Sequence, residues 1–198
     1  MMDMKIAWIG AGKMGGPMSC NIMTAGGQVT VFDPVPENVA GVVAAGGTAA
    51  ASNVALAADS EIVFSMIPND AVLRSATLGG AGIFAVMKPG SIYVDMSTVS
   101  PEVSAEVSAA AEAAGIAYLR APVSGSIALA EAGKLTIMVS GPAAAYERCE
   151  PIFDAMGAQN FYLGDGDQAR YLKLVINLLV GTTGAVLAEA LTLGRKGG

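Results

Sequence analysis

Short apolar runs alternate with helix-length stretches along most of the chain. Lys5–Ile9, Gln28–Phe32, Ile62–Met66 and Ser91–Asp95 read as buried strands. Further strands are expected near Tyr118–Ala121, Leu135–Val139 and Phe161–Leu163. Between them the pattern predicts helices with recognisable ends. One runs from about Gly16 to Ala25 and stops at Gly26-Gly27, and one within Pro34–Ala45 stops at Gly46-Gly47. Ser100-Pro101-Glu102 caps and opens a helix that runs to Ala114, and Pro142 opens another that Gly157 closes. Strands alternating with helices predict an α/β chain, a Rossmann-type, mostly parallel sheet with helices on both faces.

The last stretch differs. Gln168–Lys196 reads as one long helix, apolar on nearly all sides, with no strand after it. Its uncharged run, Leu174–Ala188, is shorter than the ~18–20 residues a membrane span needs. The pattern therefore predicts a helix buried against protein rather than lipid. Two units are expected: residues 1–165 as a dinucleotide-binding domain, and 166–198 as an interdomain helix beginning an all-helical domain that is missing.

Composition narrows the chemistry. Of 198 residues, 53% are apolar and only 14% charged, so few faces are solvated. A net charge of −6 makes nucleic acid and anionic membranes poor partners. Cys20 and Cys149 have no metal-like or disulfide spacing, and a cytoplasmic protein is expected. The chain has no histidine, which removes imidazole bases and His-bearing zinc sites; no metal site is expected.

Gly10-Ala11-Gly12-Lys13-Met14-Gly15 follows a strand and opens a helix, the context in which GxGxxG holds a pyrophosphate. Asp33 ends the second strand, roughly 20 residues beyond the loop, where a carboxylate can bond the adenosine ribose. No Arg follows at Pro34-Val35-Pro36, so NAD is favoured over NADP. The motif also fits an ordinary glycine-rich turn, and Asp33 a turn residue before proline.

Among nicotinamide enzymes, no tyrosine here has the Lys four residues on that the short-chain type uses. The lactate type and the zinc alcohol dehydrogenases lack their histidines. Of the six lysines, only Lys173 sits within the apolar helix, where desolvation would lower its pKa. Asn177 follows at i+4 on the same face. The same pair also reads as a snorkelling Lys and a surface Asn.

Four ordered stretches resemble the β-hydroxyacid dehydrogenases, the family of 3-hydroxyisobutyrate dehydrogenase. They are Gly10–Asn21, Asp95–Pro101, Ala121–Ser126 with Ala132–Leu135, and Lys173–Asn177. The resemblance implies that Lys173 is the catalytic acid/base and that Asn177 orients the substrate. Ser124, Gly125 and Ser126 would grip its carboxylate. Thr98 and Met66-Ile67-Pro68-Asn69 would line the nicotinamide half of the cofactor. Ser126 stands where many members have Gly, which resembles the glyoxylate and succinic semialdehyde reductase branch. That branch typically uses NADP, so the substrate stays open. Imine reductases share the architecture but usually lack Lys at this position.

The family's chain continues into a helical domain, which makes this sequence a fragment or a natural short form. The expected function is an NAD(P)-dependent oxidoreductase acting on a short 3-hydroxy acid or its semialdehyde. The alternative is a nucleotide-binding module with little or no catalysis. A small carboxylate substrate and a homo-oligomer built on the 168–196 helix are the expected partners.

Overall fold

The computed structural model describes residues 5–198; the first four residues of the expected 1–165 unit lie outside it. The chain begins with β1 (Lys5–Ile9), α1 (Gly15–Thr24), β2 (Gln28–Phe32), α2 (Pro36–Ala44) and β3 (Thr48–Ala49). It continues through α3 (Asn53–Ala57), β4 (Ile62–Ser65), α4 (Asp70–Thr77) and a 3-10 turn at Ile83–Ala85. Then come β5 (Ile92–Asp95), α5 (Pro101–Ala113) and β6 (Ala117–Arg120). These strands form one parallel sheet in the order β3-β2-β1-β4-β5-β6. The direction of growth reverses between β1 and β4, which opens a crevice at their C-terminal ends.

The period-2 alternation of each strand divides the core into two layers. Ile6, Trp8, Phe64 and Val94 face one side with α1 and α7, where Trp8 stacks on Phe64 at 5.5 Å. Ala7, Ile9, Val63 and Tyr93 face the other side with α3 and α5. The expected Rossmann-type architecture is therefore present, with helices on both faces.

One feature departs from a single sheet. β7 (Val123–Ser124), α6 (Ile127–Glu131), β8 (Leu135–Val139), α7 (Ala143–Met156) and β9 (Gly157–Tyr162) build a second, three-stranded sheet. Its β7–β8 pair is antiparallel and its β8–β9 pair parallel. An isolated bridge between Arg120 and Ser140 joins the sheets. Gly157 closes α7 as expected, but it also begins β9 without a loop, so that strand starts earlier than the apolar run at Phe161 suggests.

The last helix, α8 (Gln168–Lys196), is about 44 Å long at 1.5 Å per residue. Only Ala169 and Arg170 within it are buried. Leu178 and Leu193 are 70% and 74% exposed. By length and composition alone the helix could cross a membrane. Its start is instead fastened to the parallel sheet. Arg170 pairs with the fully buried Asp95 at the end of β5 and donates to Tyr118 Oη at 2.9 Å. Beside it, Arg120 donates to Asp167 at 2.8 Å.

Removing one member of a buried pair strands the other charge. Arg170→Met alone should lower the unfolding free energy by about 3–5 kcal/mol, whereas Arg170→Met with Asp95→Asn should lose much less. Urea denaturation of the three proteins measures the difference.

Candidate dinucleotide site

The crevice between β1 and β4 holds a cleft of about 630 Å³. The glycine loop forms its floor, and each glycine has its own reason. At Gly10 φ is +88°, and a Cβ would lie 2.3 Å from the Met66 carbonyl oxygen. At Gly15 a Cβ would lie 1.9 Å from the Gly10 oxygen. A Cβ at Gly12, however, would meet nothing within 4 Å. The fold forbids a side chain at the first and third positions, while at the second only an incoming ligand would.

That ligand should be anionic. α1 has no side-chain cap and no acidic residue in its first turn, whereas α3, α4, α5 and α6 are capped by Ser52, Asn69, Ser100 and Ser126. Free N–H groups and the positive end of the helix dipole therefore face the cleft. Lys13 and Met14 line it as well. Open space at Gly12 beside an uncapped helix start fits a pyrophosphate.

Asp33 does more than wait for a ribose. One oxygen accepts from Ala11 N at 2.8 Å, holding the loop; the other accepts from Val35 N at 2.8 Å and Asn38 Nδ2 at 3.1 Å. A carboxylate offers about four lone-pair sites, so room remains for a hydroxyl. Asn38 was not singled out from sequence, because a side-chain contact five residues from Asp33 has no local signature; the Asx-type turn is the Asp33 bond to Val35 N. Val72 and Ala76 add an apolar wall that sequence reading also missed, because α4 is short.

Met66, Ile67 and Pro68 line the opposite wall. Pro68 also borders a shallower depression of about 570 Å³, shared with Asn69, Thr98 and, from α8, Leu174. The turn after β4 is set by Ser97, whose hydroxyl accepts from Ile67 N at 2.9 Å. The structure thus brings the loop, Asp33 and Met66–Pro68 around one cleft, with Asn69 and Thr98 beside it.

Lys173 follows one turn after Arg170 and is half-buried; burial lowers its amine below the usual lysine range. Other groups that could carry protons move away from neutrality. Burial pushes the Cys149 thiol up to about 12, and burial with the Glu150 contact pushes Tyr146 to about 12. Asn177 is exposed one turn further along α8. Ser124, Gly125 and Ser126 lie on the β7–α6 turn, lining neither depression described above. Asn21 of α1 fixes that segment by donating to Ala130 O at 2.7 Å.

Residues 5–164 match the NAD binding domain of 6-phosphogluconate dehydrogenase. The chain belongs to this family. Membership agrees with the cleft, and the cofactor expected from the glycine loop and Asp33 stands: a nicotinamide dinucleotide. The chain is 42% identical over 196 residues to 2-(hydroxymethyl)glutarate dehydrogenase of Eubacterium barkeri, covering 99% of itself and 65% of that protein. It is 40% identical over 193 residues to 3-hydroxyisobutyrate dehydrogenase of Pseudomonas aeruginosa, covering 98% and 65%. A solved 3-hydroxyisobutyrate dehydrogenase of Mycobacterium tuberculosis with L-serine matches at TM-score 0.92 and 32% identity, covering 98% and 66%. The chain thus spans about two thirds of these proteins. The resemblance to β-hydroxyacid dehydrogenases read from the four motifs is borne out.

The glycines should separate in experiment. Gly12→Val should stay within about 0.5 kcal/mol of the parent in stability, as a surface change does. It should weaken NAD about tenfold or more, or ~1.4 kcal/mol. Gly15→Ala should fail to fold well, because backbone blocks its methyl. Thermal melting with calorimetric NAD titration checks both.

Proposed function

We propose that this chain carries the cofactor site and the acid/base of an oxidoreductase that interconverts a short 3-hydroxy acid and its semialdehyde. The observation that carries the proposal is a half-buried lysine of lowered pKa on α8, whose next residue, Leu174, borders the depression that shares Pro68 with the dinucleotide cleft. The bound nicotinamide supplies the hydride acceptor or donor. Lys173 takes the hydroxyl proton during oxidation and returns it to the carbonyl oxygen during reduction. Asn177 holds the reacting oxygen beside the amine, and Ser124, Gly125 and Ser126 grip the substrate carboxylate. The names of the relatives, and the L-serine in the mycobacterial structure, support a small 3-hydroxy carboxylate.

Asp33 favours NAD, because its carboxylate would repel a 2′-phosphate and its bonds to the loop leave it fixed in place. The chain divides, in this reading, near residue 165, with α8 as the interdomain helix. Its exposed apolar faces are unfavourable in water, and the reading includes contact with a second copy of the chain through them. We read α8 as covered by protein rather than lipid because Lys173 and Glu189 bracket too short an uncharged run.

Lys173→Ala should lower kcat about 10²- to 10⁴-fold while leaving the NAD dissociation constant unchanged. Oxidation needs the neutral amine. Its rate should therefore fall as pH drops through a pKa below the ordinary lysine value, and the variant should lose that limb. Steady-state assays across pH with a panel of short 3-hydroxy acids provide the check. Near-normal turnover by the variant would remove the role, and NAD binding without any turnover by the parent would leave a binding module.

A further inference from the structure

Arg170 precedes Lys173 by three residues, so the two share a face of α8. Arg170 is almost completely buried, yet it touches no part of the cleft. Its guanidinium instead spans three elements. Nη2 donates to the Asp95 carboxylate ending β5 and to Tyr118 Oη on β6 at 2.9 Å. Nη1 donates to the backbone carbonyl of Ser97, and Nε reaches Ser104 Oγ of α5 at 3.4 Å. Asp95 is itself held, accepting from Ser65 Oγ at 2.9 Å and Ser97 N at 3.1 Å.

The cluster also reaches the cofactor wall. The Ser97 backbone carbonyl bonds Arg170, while its hydroxyl accepts from Ile67 N at 2.9 Å. Ile67 lines the cleft, and its Cγ2 would lie 3.1 Å from a Cβ on Gly10. A path of hydrogen bonds therefore runs from α8 to the turn after β4, which packs close to the glycine loop. A single anchor would let the helix roll, and a roll of one residue, roughly 100°, would turn Lys173 away. The planar guanidinium, bonded along several directions, fixes rotation as well as distance.

We propose that Arg170 is a positioning residue that sets the rotation of α8, and with it the direction of the Lys173 amine relative to the depression that Pro68, Thr98 and the neighbouring Leu174 border. The inference deepens the reading of Lys173 as the acid/base and rests on it. A merely structural Arg170 would matter for stability alone, so the test removes the charge pair without stranding either member.

In Arg170→Met with Asp95→Asn, the introduced amide oxygen can still accept from Ser65 and Ser97. The paired variant should fold and bind NAD within about twofold of the parent. Its kcat should fall about 10- to 100-fold, as expected when a reacting group is displaced by about 1 Å. Site-resolved labelling of Lys173 with an amine-reactive reagent should shift its pH midpoint upward, toward that of an ordinary lysine, as the amine gains water. Arg170→Lys keeps the charge opposite Asp95 but loses the fork, and should fall between parent and pair. A folded paired variant with parental kcat and an unshifted labelling midpoint would overturn the proposal. If the pair does not fold, the same result from Arg170→Lys would do so. Should the labelling shift appear while the parent turns over no 3-hydroxy acid, positioning stands and the acid/base reading fails.

Discussion

Two backbones cross at the C-terminal ends of β1 and β4 with no side chain between them, and the site depends on that crossing. Met66 O lies where a side chain of Gly10 would stand, and Gly10 O where one of Gly15 would stand. The approach bends the chain straight from strand into helix and brings the start of α1 to the edge of the sheet. It also presses the turn after β4 against the loop, so one constraint shapes both walls of the cleft. Trp8 Nε1 reinforces it by donating to Gly10 O at 2.8 Å, and Gly10 N is tied to Phe32 O at 2.9 Å. What remains open is the space at Gly12, beside a helix start that no side chain caps.

The attachment of α8 depends on charge rather than close approach. The buried Arg170–Asp95 pair joins α8 to the strand ends, and Ser97 carries that attachment to Ile67. Burying such a pair is favourable only when the remaining donors and acceptors are also met. Ser65, Ser104 and Tyr118 meet them here. The exposed remainder of α8 contrasts sharply: its buried residues, Ala169 and Arg170, lie in its first turn, while its apolar faces lie open.

Much of this was legible in the residues. Strand alternation located the parallel sheet, and the helix ends at Gly26-Gly27 and Ser100-Pro101 fall where glycine and cap chemistry place them. The glycine loop and Asp33 were readable because their spacing encodes a local turn. The two-residue strands β3 and β7 and the five-residue helices α3 and α6 were not, since periodicity needs more length to show. The separate sheet escaped for another reason: β8 and β9 resemble strands of the main sheet until pairing decides their partners. Arg170 was invisible as an anchor because its partners Asp95, Ser97 and Tyr118 are distant in sequence, and nothing local distinguishes it from a surface arginine. An aspartate ending the apolar run Ser91–Asp95 was the one available hint.

On the proposed function, the dinucleotide would lie across the switch point, its adenine toward Val72 and Ala76 of α4 and its nicotinamide toward Thr98 and α8. Intermolecular nuclear Overhauser contacts between NAD and the isotope-labelled chain test this most directly. The account predicts contacts from the adenine protons to Val72 and Ala76, and from the nicotinamide protons to Thr98 and Leu174. Nicotinamide protons that contact Val72 instead, or that show no contact with the Thr98–Leu174 side, would contradict it.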